Sequence, residues 1–324
     1  MRDRLKTLPG VFVLALLSLT AASAAEDFRI EEGRTVVDQG GRRIVVRAPF
    51  QRIVSLYGAH TENLFALGCG PQLIGVSPNE DYPPQSREKP VFSYHDDPEK
   101  FLAARPDLVL VRPMIDRGYL QLVQRLEKSG IAVVSLQPGT VEEMHTYWEI
   151  LGLLTGRRDQ ALAMAADFKA AVDRLRALTA AVDPKRRVYF EAIHSKMKTF
   201  SPDAMAVFAL EAAGGINVAR DAQPVRDTNI AAYGKERILA RAAEIDVYLA
   251  QSGTMNPVSV DLIKAESGFQ AIRAVKTGQV HLIDERLVSR PTLRLLDGIF
   301  EIGRILYPDD FPERAREIIN RAKN

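Results

Sequence analysis

One stretch, Arg157 to Val182, does most to limit what this chain can fold into, because it holds no glycine, no proline and no strand signal. It is rich in Ala, Leu, Met, Asp, Lys and Arg. That composition predicts one continuous helix of about 25 residues, roughly 37 Å long. Pro184 ends it. An ordinary long surface helix would read the same way in isolation. Short apolar strands alternating with helices lie on both sides, however, and this makes the stretch a rod joining two lobes.

Ahead of the rod, Arg52–Leu56 is a strand that feeds the turn Tyr57-Gly58-Ala59-His60 and then an amphipathic helix with Leu64, Phe65 and Leu67 on its apolar side. Leu73–Val76 and Asp107–Val111 are short apolar runs of the kind buried on both faces of a parallel sheet. Helices are expected over Pro98–Ala104, Tyr119–Lys128 and Met144–Leu154, with a strand at Ile131–Leu136. Behind the rod the alternation resumes. Strands are expected at Arg187–Ile193, Val247–Ala250 and Val280–Ile283, and helices at Met205–Ala213, Glu236–Ala242, Phe269–Ala274 and, last, Leu293–Leu306. The expected fold is α/β, two Rossmann-like lobes joined by a single long backbone helix. The divisions are residues 25–156, 157–183 and 184–324. Ligands of open α/β sheets lie beyond the carboxyl ends of the strands, so two facing lobes make a cleft there.

Residues 1–24 are expected to be a signal peptide. Arg2, Arg4 and Lys6 precede an apolar run from Val11 to Leu19, and Ala22-Ser23-Ala24 is a small-residue cleavage site. The run is too short for a comfortable membrane span. Cys69, the single cysteine, is far from that site, so neither a lipid anchor there nor an internal disulfide is expected. The mature protein is expected to be soluble in a periplasm and monomeric. Without residues 1–24 the 43 basic and 41 acidic residues become 40 and 40. That balance speaks against a nucleic-acid partner, which calls for a basic excess.

Several segments in order resemble the periplasmic binding proteins for iron–siderophores, haem and cobalamin. Arg52–Gly68 (RIVSLYGAHTENLFALG) is similar to that family's opening strand, turn and helix. Asp81-Tyr82-Pro83-Pro84 and Asp97–Leu110 (DPEKFLAARPDLVL) resemble its next two markers, and Gly214–Ala219 with Lys235–Ala240 its second-lobe markers. The resemblance implies a receptor that delivers a small chelate to a dimeric ABC permease with a cytoplasmic ATPase, and that closes little on binding. It also implies one exposed glutamate per lobe that docks permease arginines, by position Glu99 and Glu236. Each is equally an acid in a helix's first turn. Tyr57 and His60 stand where the family usually has small residues.

No nucleophile elbow, phosphate loop or His-Glu-x-x-His helix is present, so no catalytic residues and no covalent cofactor are expected. Chelate-binding candidates follow strand ends: Tyr57, His60, Tyr94, His95, Arg112, His194, Arg226, Asn229 and Arg290. Aromatic walls suit a corrinoid, while arginines suit an anionic siderophore. Tyr94 lies in a loop where haem-binding relatives carry a ligand tyrosine, which keeps haem open. The five histidines show no i, i+4 pair, but His60 and His194 follow strand ends in opposite lobes and remain candidates for a bare metal ion. Outside transport, an interlobe metalloenzyme or a solute sensor would use the same architecture.

Overall fold

The computed structural model describes residues 28–78, 80–225 and 228–323. The proposed leader lies outside the described residues, and so does Arg226. Strands in chain order are β1 Arg29–Glu31, β2 Thr35–Val37, β3 Arg43–Val45, β4 Ile53–Ser55, β5 Leu73–Val76, β6 Leu108–Val111 and β7 Ala132–Ser135. After the long helix come β8 Arg187–Ile193, β9 Lys198–Phe200, β10 Ile216–Asn217, β11 Gln223–Pro224, β12 Ile230–Ala232, β13 Val247–Ser252 and β14 Val280–Asp284.

The first lobe is built on a four-stranded sheet, β5-β4-β6-β7, parallel throughout. The second is built on a seven-stranded sheet, β11-β12-β9-β8-β13-β14, with β10 beside the start of β8. Its β10, β8, β13 and β14 are parallel, while β9, β12 and β11 fold back as an antiparallel edge. The fold is thus α/β with two lobes. Every residue of β4 and β6 is buried, because helices cover both faces of a parallel sheet.

The rod is one unbroken helix, Arg158–Leu178, of 21 residues. It stops four residues short of Val182, where Thr179–Val182 forms a turn ahead of Pro184. Ala161, Phe168, Ala171, Val172 and Leu175 are its buried stripe, with Met164, Ala165 and Leu178 partly buried beside it. The stripe packs between the first-lobe helix Val141–Thr155 and the final helix Phe311–Lys323. Thr140 caps Val141–Thr155: its Oγ1 accepts from the Glu143 amide at 3.2 Å, while the Glu143 carboxylate accepts from the amide of Gly139, one residue ahead of the cap, at 2.6 Å. One hydrophobic core runs from Ile53 and Leu108 through Trp148 and Phe168 to Phe190, Ile299 and Phe311, so both lobes share it.

Two expectations fail locally, and one element was not anticipated. The expected helix Phe269–Ala274 is a short turn, Phe269–Ala271, and a separate helix, Arg273–Lys276, broken at Ile272 in extended backbone. Leu295–Leu306 is followed by a further helix, Phe311–Lys323, whose Pro312 sits in the first turn, where proline is tolerated. Ahead of the first lobe, β1-β2-β3 is an antiparallel meander. Its fully buried Asp38 accepts from the Ser135 amide at 2.8 Å and pins it to the end of β7.

Candidate functional site

The first-lobe wall starts where β4 and its neighbour β6 end. Tyr57 and Arg112 are the residues just beyond those ends, both half-buried, and the Arg112 guanidinium lies 5.2 Å from the Tyr57 ring centroid. This cation–π contact sets a flat aromatic face beside a fixed positive charge. Beyond them Tyr94, His95 and Tyr119 form a trio: Tyr94 is 4.4 Å from His95 and 4.7 Å from Tyr119, centroid to centroid. Tyr119 was not among the sequence candidates; an aromatic at a helix start, with no strand end beside it, gave no signal. Met114, in the first turn of the helix Pro113–Gly118 after Arg112, keeps 40% of its surface exposed.

His60 does not reach the cleft, contrary to expectation. It lies in the first turn of the helix Gly58–Ala66, is fully buried and spends both ring nitrogens. Nε2 is 3.0 Å from the Val111 carbonyl, an acceptor only, so Nε2 carries the proton. Nδ1 therefore accepts from the Tyr147 hydroxyl at 2.7 Å, and Asn63 Nδ2 donates to that same oxygen at 3.3 Å. Burial pushes His60 down to about 4, which keeps it neutral. It braces the end of β6, and with it Arg112.

The second-lobe wall follows the ends of β8, β13 and β14. His194, 6% exposed, bonds through Nδ1 to fully buried Glu191 at 2.8 Å, and its backbone amide donates to Asn256 Oδ1 at 2.9 Å. Tyr248 donates its hydroxyl to Glu191 at 2.5 Å. The Glu191 hydrogen bond raises the His194 pKa. Asn256 closes the loop after β13, whose Thr254 and Met255 amides donate to the two Glu285 carboxylate oxygens at 3.0 and 3.1 Å. Met255 stands 52% exposed on that rim. Exposed Asn229 reaches the first lobe: a side-chain carbon on Gly139 would stand 3.4 Å from its Oδ1.

Arg290, beside Gly58, is part of an ion-pair seam between the lobes. Its Nη1 lies 2.8 Å from Glu62 Oε1 and 3.9 Å from Glu80 Oε2. Arg294 reaches Glu62 at 3.4 Å, and Arg286 joins Asp81 at 2.5 Å and Asp284 at 2.6 Å. Asn63 Nδ2 and Trp148 Nε1 both donate to the Pro291 carbonyl, at 2.9 and 3.3 Å. Burial pushes the Glu62 and Glu80 carboxyls up, and the arginines counter that. Glu62, Glu80, Arg286 and Arg294 were not among the sequence's site candidates; the four-residue spacing of Arg286, Arg290 and Arg294 was the available signal. Beside the seam runs a groove of about 630 Å³, lined by Phe65, Tyr82, Lys89, Thr292, Arg294 and Lys323.

His60 and His194 do not assemble a metal site. Each is spent on other partners, and no group of three or more His, Cys, Asp or Glu is placed for a metal among the described residues. Glu99 and Glu236 stand exposed in the first turns of Pro98–Ala104 and Lys235–Ala240. Glu99 pairs with Arg125 at 2.8 Å, while Glu236 makes no ion pair among the described residues. No described helix is long and apolar enough to cross a membrane.

A family model described as "Periplasmic binding protein" matches residues 53–287. An uncharacterized ABC transporter substrate-binding lipoprotein, YvrC of Bacillus subtilis (strain 168), is 25% identical over 284 residues, 86% of this chain and 87% of that protein. The vitamin B12-binding protein of Vibrio cholerae is 26% identical over 258 residues, 78% of this chain and 88% of that one. Among solved structures, a possible iron-binding (periplasmic solute-binding) protein from Staphylococcus epidermidis superposes with a TM-score of 0.70 at 27% identity, covering 80% of this chain and 100% of that one.

Proposed function

The chain belongs to the periplasmic binding protein family, and from that premise we propose that it captures an iron chelate or a corrinoid in the interlobe cleft and hands it to an ABC permease, catalysing no reaction. It does this in the periplasm as a monomer, once residues 1–24 are removed. The observation that carries the proposal is the pairing of unlike walls at the strand ends. Tyr57, Arg112 and Tyr94 offer aromatic faces and one guanidinium without a carboxylate partner among the described residues, and the second lobe supplies the braced rim Ser252–Asn256. A large, flat chelate asks for such faces and a few fixed polar groups. The ion-pair seam and the shared core hold the lobes at a set spacing, so the site is formed before the ligand arrives.

Haem is the second ligand reading, favoured by the half-buried Tyr94 packed between His95 and Tyr119, since a tyrosinate binds ferric haem. Absorbance titration with cyanocobalamin, a ferric siderophore and haemin separates the three. Saturable binding of the first or second supports the proposal, and a haemin Soret shift lost in Tyr94→Phe moves the ligand to haem. No saturable change with any of them refutes the receptor. Docking falls to Glu99 and Glu236, one per lobe. Exchanging both for lysine is expected to abolish import while leaving ligand binding intact.

A further inference from the structure

The ligand rim of the second lobe is wired to the helix on which the docking residue Glu236 stands. Starting at the rim, Asn256 Nδ2 donates to the Gln251 carbonyl at 2.8 Å, while its Oδ1 receives the His194 amide. The His194 ring continues outward. Its Nε2 faces Glu266 Oε2 at 3.8 Å, and the other Glu266 oxygen holds Lys235 Nζ at 2.5 Å. Lys235 opens the helix Lys235–Ala240, one residue before Glu236. A backbone link runs alongside. The Met197 amide donates to the His194 carbonyl at 2.9 Å, and the Gly234 amide, just ahead of that helix, donates to the Met197 carbonyl at 3.0 Å. Phe269, whose amide bonds the Glu266 carbonyl, packs edge-on against the His194 ring at 6.3 Å.

We propose that His194 and Glu266 are positioning residues that couple the rim Ser252–Asn256 to the helix Lys235–Ala240, so that loosening or ordering the rim is felt at the docking face. The functional meaning of this coupling rests on the docking role given to Glu236 above; the coupling itself does not. Every charged or titratable group facing the His194 ring belongs to the chain of contacts: Glu191 from β8, Tyr248 from β13 through Glu191, and Glu266 with Lys235 from the outer side. The His194 ring is nearly buried and Glu191 fully so, and salt screens that contact less than it would a surface pair. A coupling element must have discrete arrangements that both ends bias. In this proposal the member with two arrangements is the His194–Glu266 contact, which at 3.8 Å is longer than a direct hydrogen bond.

A double-mutant cycle read by amide hydrogen exchange on the full chain tests this without any ligand. Asn256→Ala loosens the rim. With Glu266 present it is expected to speed exchange across residues 235–240 by about fivefold, and in a Glu266→Gln background by less than about twofold, with the rim itself loosened equally in both. An equal effect at 235–240 in both backgrounds, or none in either, overturns the proposal. Should Asn256→Ala fail to fold, Met255→Gly loosens the same rim from an exposed position and is scored the same way. Because the cycle uses no chelate, its failure leaves the receptor function standing. Conversely, a protein that binds no chelate still reveals whether the coupling exists.

Discussion

His60 and His194 each follow the end of a strand, one in each lobe, and both are buried, yet the lobes accommodate them oppositely. In the first lobe the imidazole meets only neutral partners, the Val111 carbonyl and the Tyr147 hydroxyl, and burial makes it a weak base. In the second, a fully buried carboxylate, Glu191, sits against the ring and favours its proton. Equivalent places in the topology therefore carry different chemistry. The first lobe spends its histidine on rigidity beneath Arg112, and the second spends its own on a charged network beneath the rim. Neighbouring groups, not the strand-end position, set the state of the ring.

The sharpest way to break this contrast is to remove the carboxylate. Glu191→Leu leaves His194, the Tyr248 hydroxyl and Asn256 without their common acceptor, and urea unfolding is expected to show a loss of about 3–5 kcal/mol. The His194 pKa, followed by proton NMR in the milder Glu191→Gln, is expected to fall.

Next comes pH. Neutral His60 titrates near 4 in the fold but near 6.5 when unfolded, so the unfolded chain takes up a proton first as pH falls. The stabilisation is complete above about 6.5 and about 3 kcal/mol is lost between 6.5 and 4. His194 works in the other direction: its share is complete below about 6.5 and disappears as pH rises through its raised value. In denaturation curves recorded across pH, His60→Gln is expected to flatten the acid limb and His194→Gln the alkaline one.

The smallest expected effect lies at the seam between the regions compared. Arg290→Met leaves Glu62 with the Arg294 guanidinium at 3.4 Å and the Thr292 hydroxyl, so a loss of about 2 kcal/mol is expected, below that at Glu191 because one guanidinium remains.

Much of the frame was legible because it rests on local signals. The helix of 158–178 follows from propensity, and Arg187–Ile193 follows from a run of strand formers. What escaped depends on partners distant in the chain. Glu62 and Arg290 are 228 residues apart, and sequence shows their charges without showing that they meet. His60 looked like a cleft residue because strand-to-helix turns usually face ligand. One turn into the helix, though, its ring turns inward to β6, and no periodicity distinguishes those outcomes. The meander β1–β3 was invisible for a plainer reason: its strands are three residues each, and β1 and β3 carry charges among their apolar residues.

The account stands on the ligand lying between the strand ends and not in the groove beside the seam, and one titration compares the two places. Cyanocobalamin, a ferric siderophore or haemin, whichever binds the unaltered protein most tightly, is titrated against Tyr57→Ala on the cleft wall and Phe65→Ala in the groove. A weakening of about tenfold in Tyr57→Ala with Phe65→Ala unchanged is the result predicted. Weakening confined to Phe65→Ala, or no binding to the unaltered protein, contradicts it.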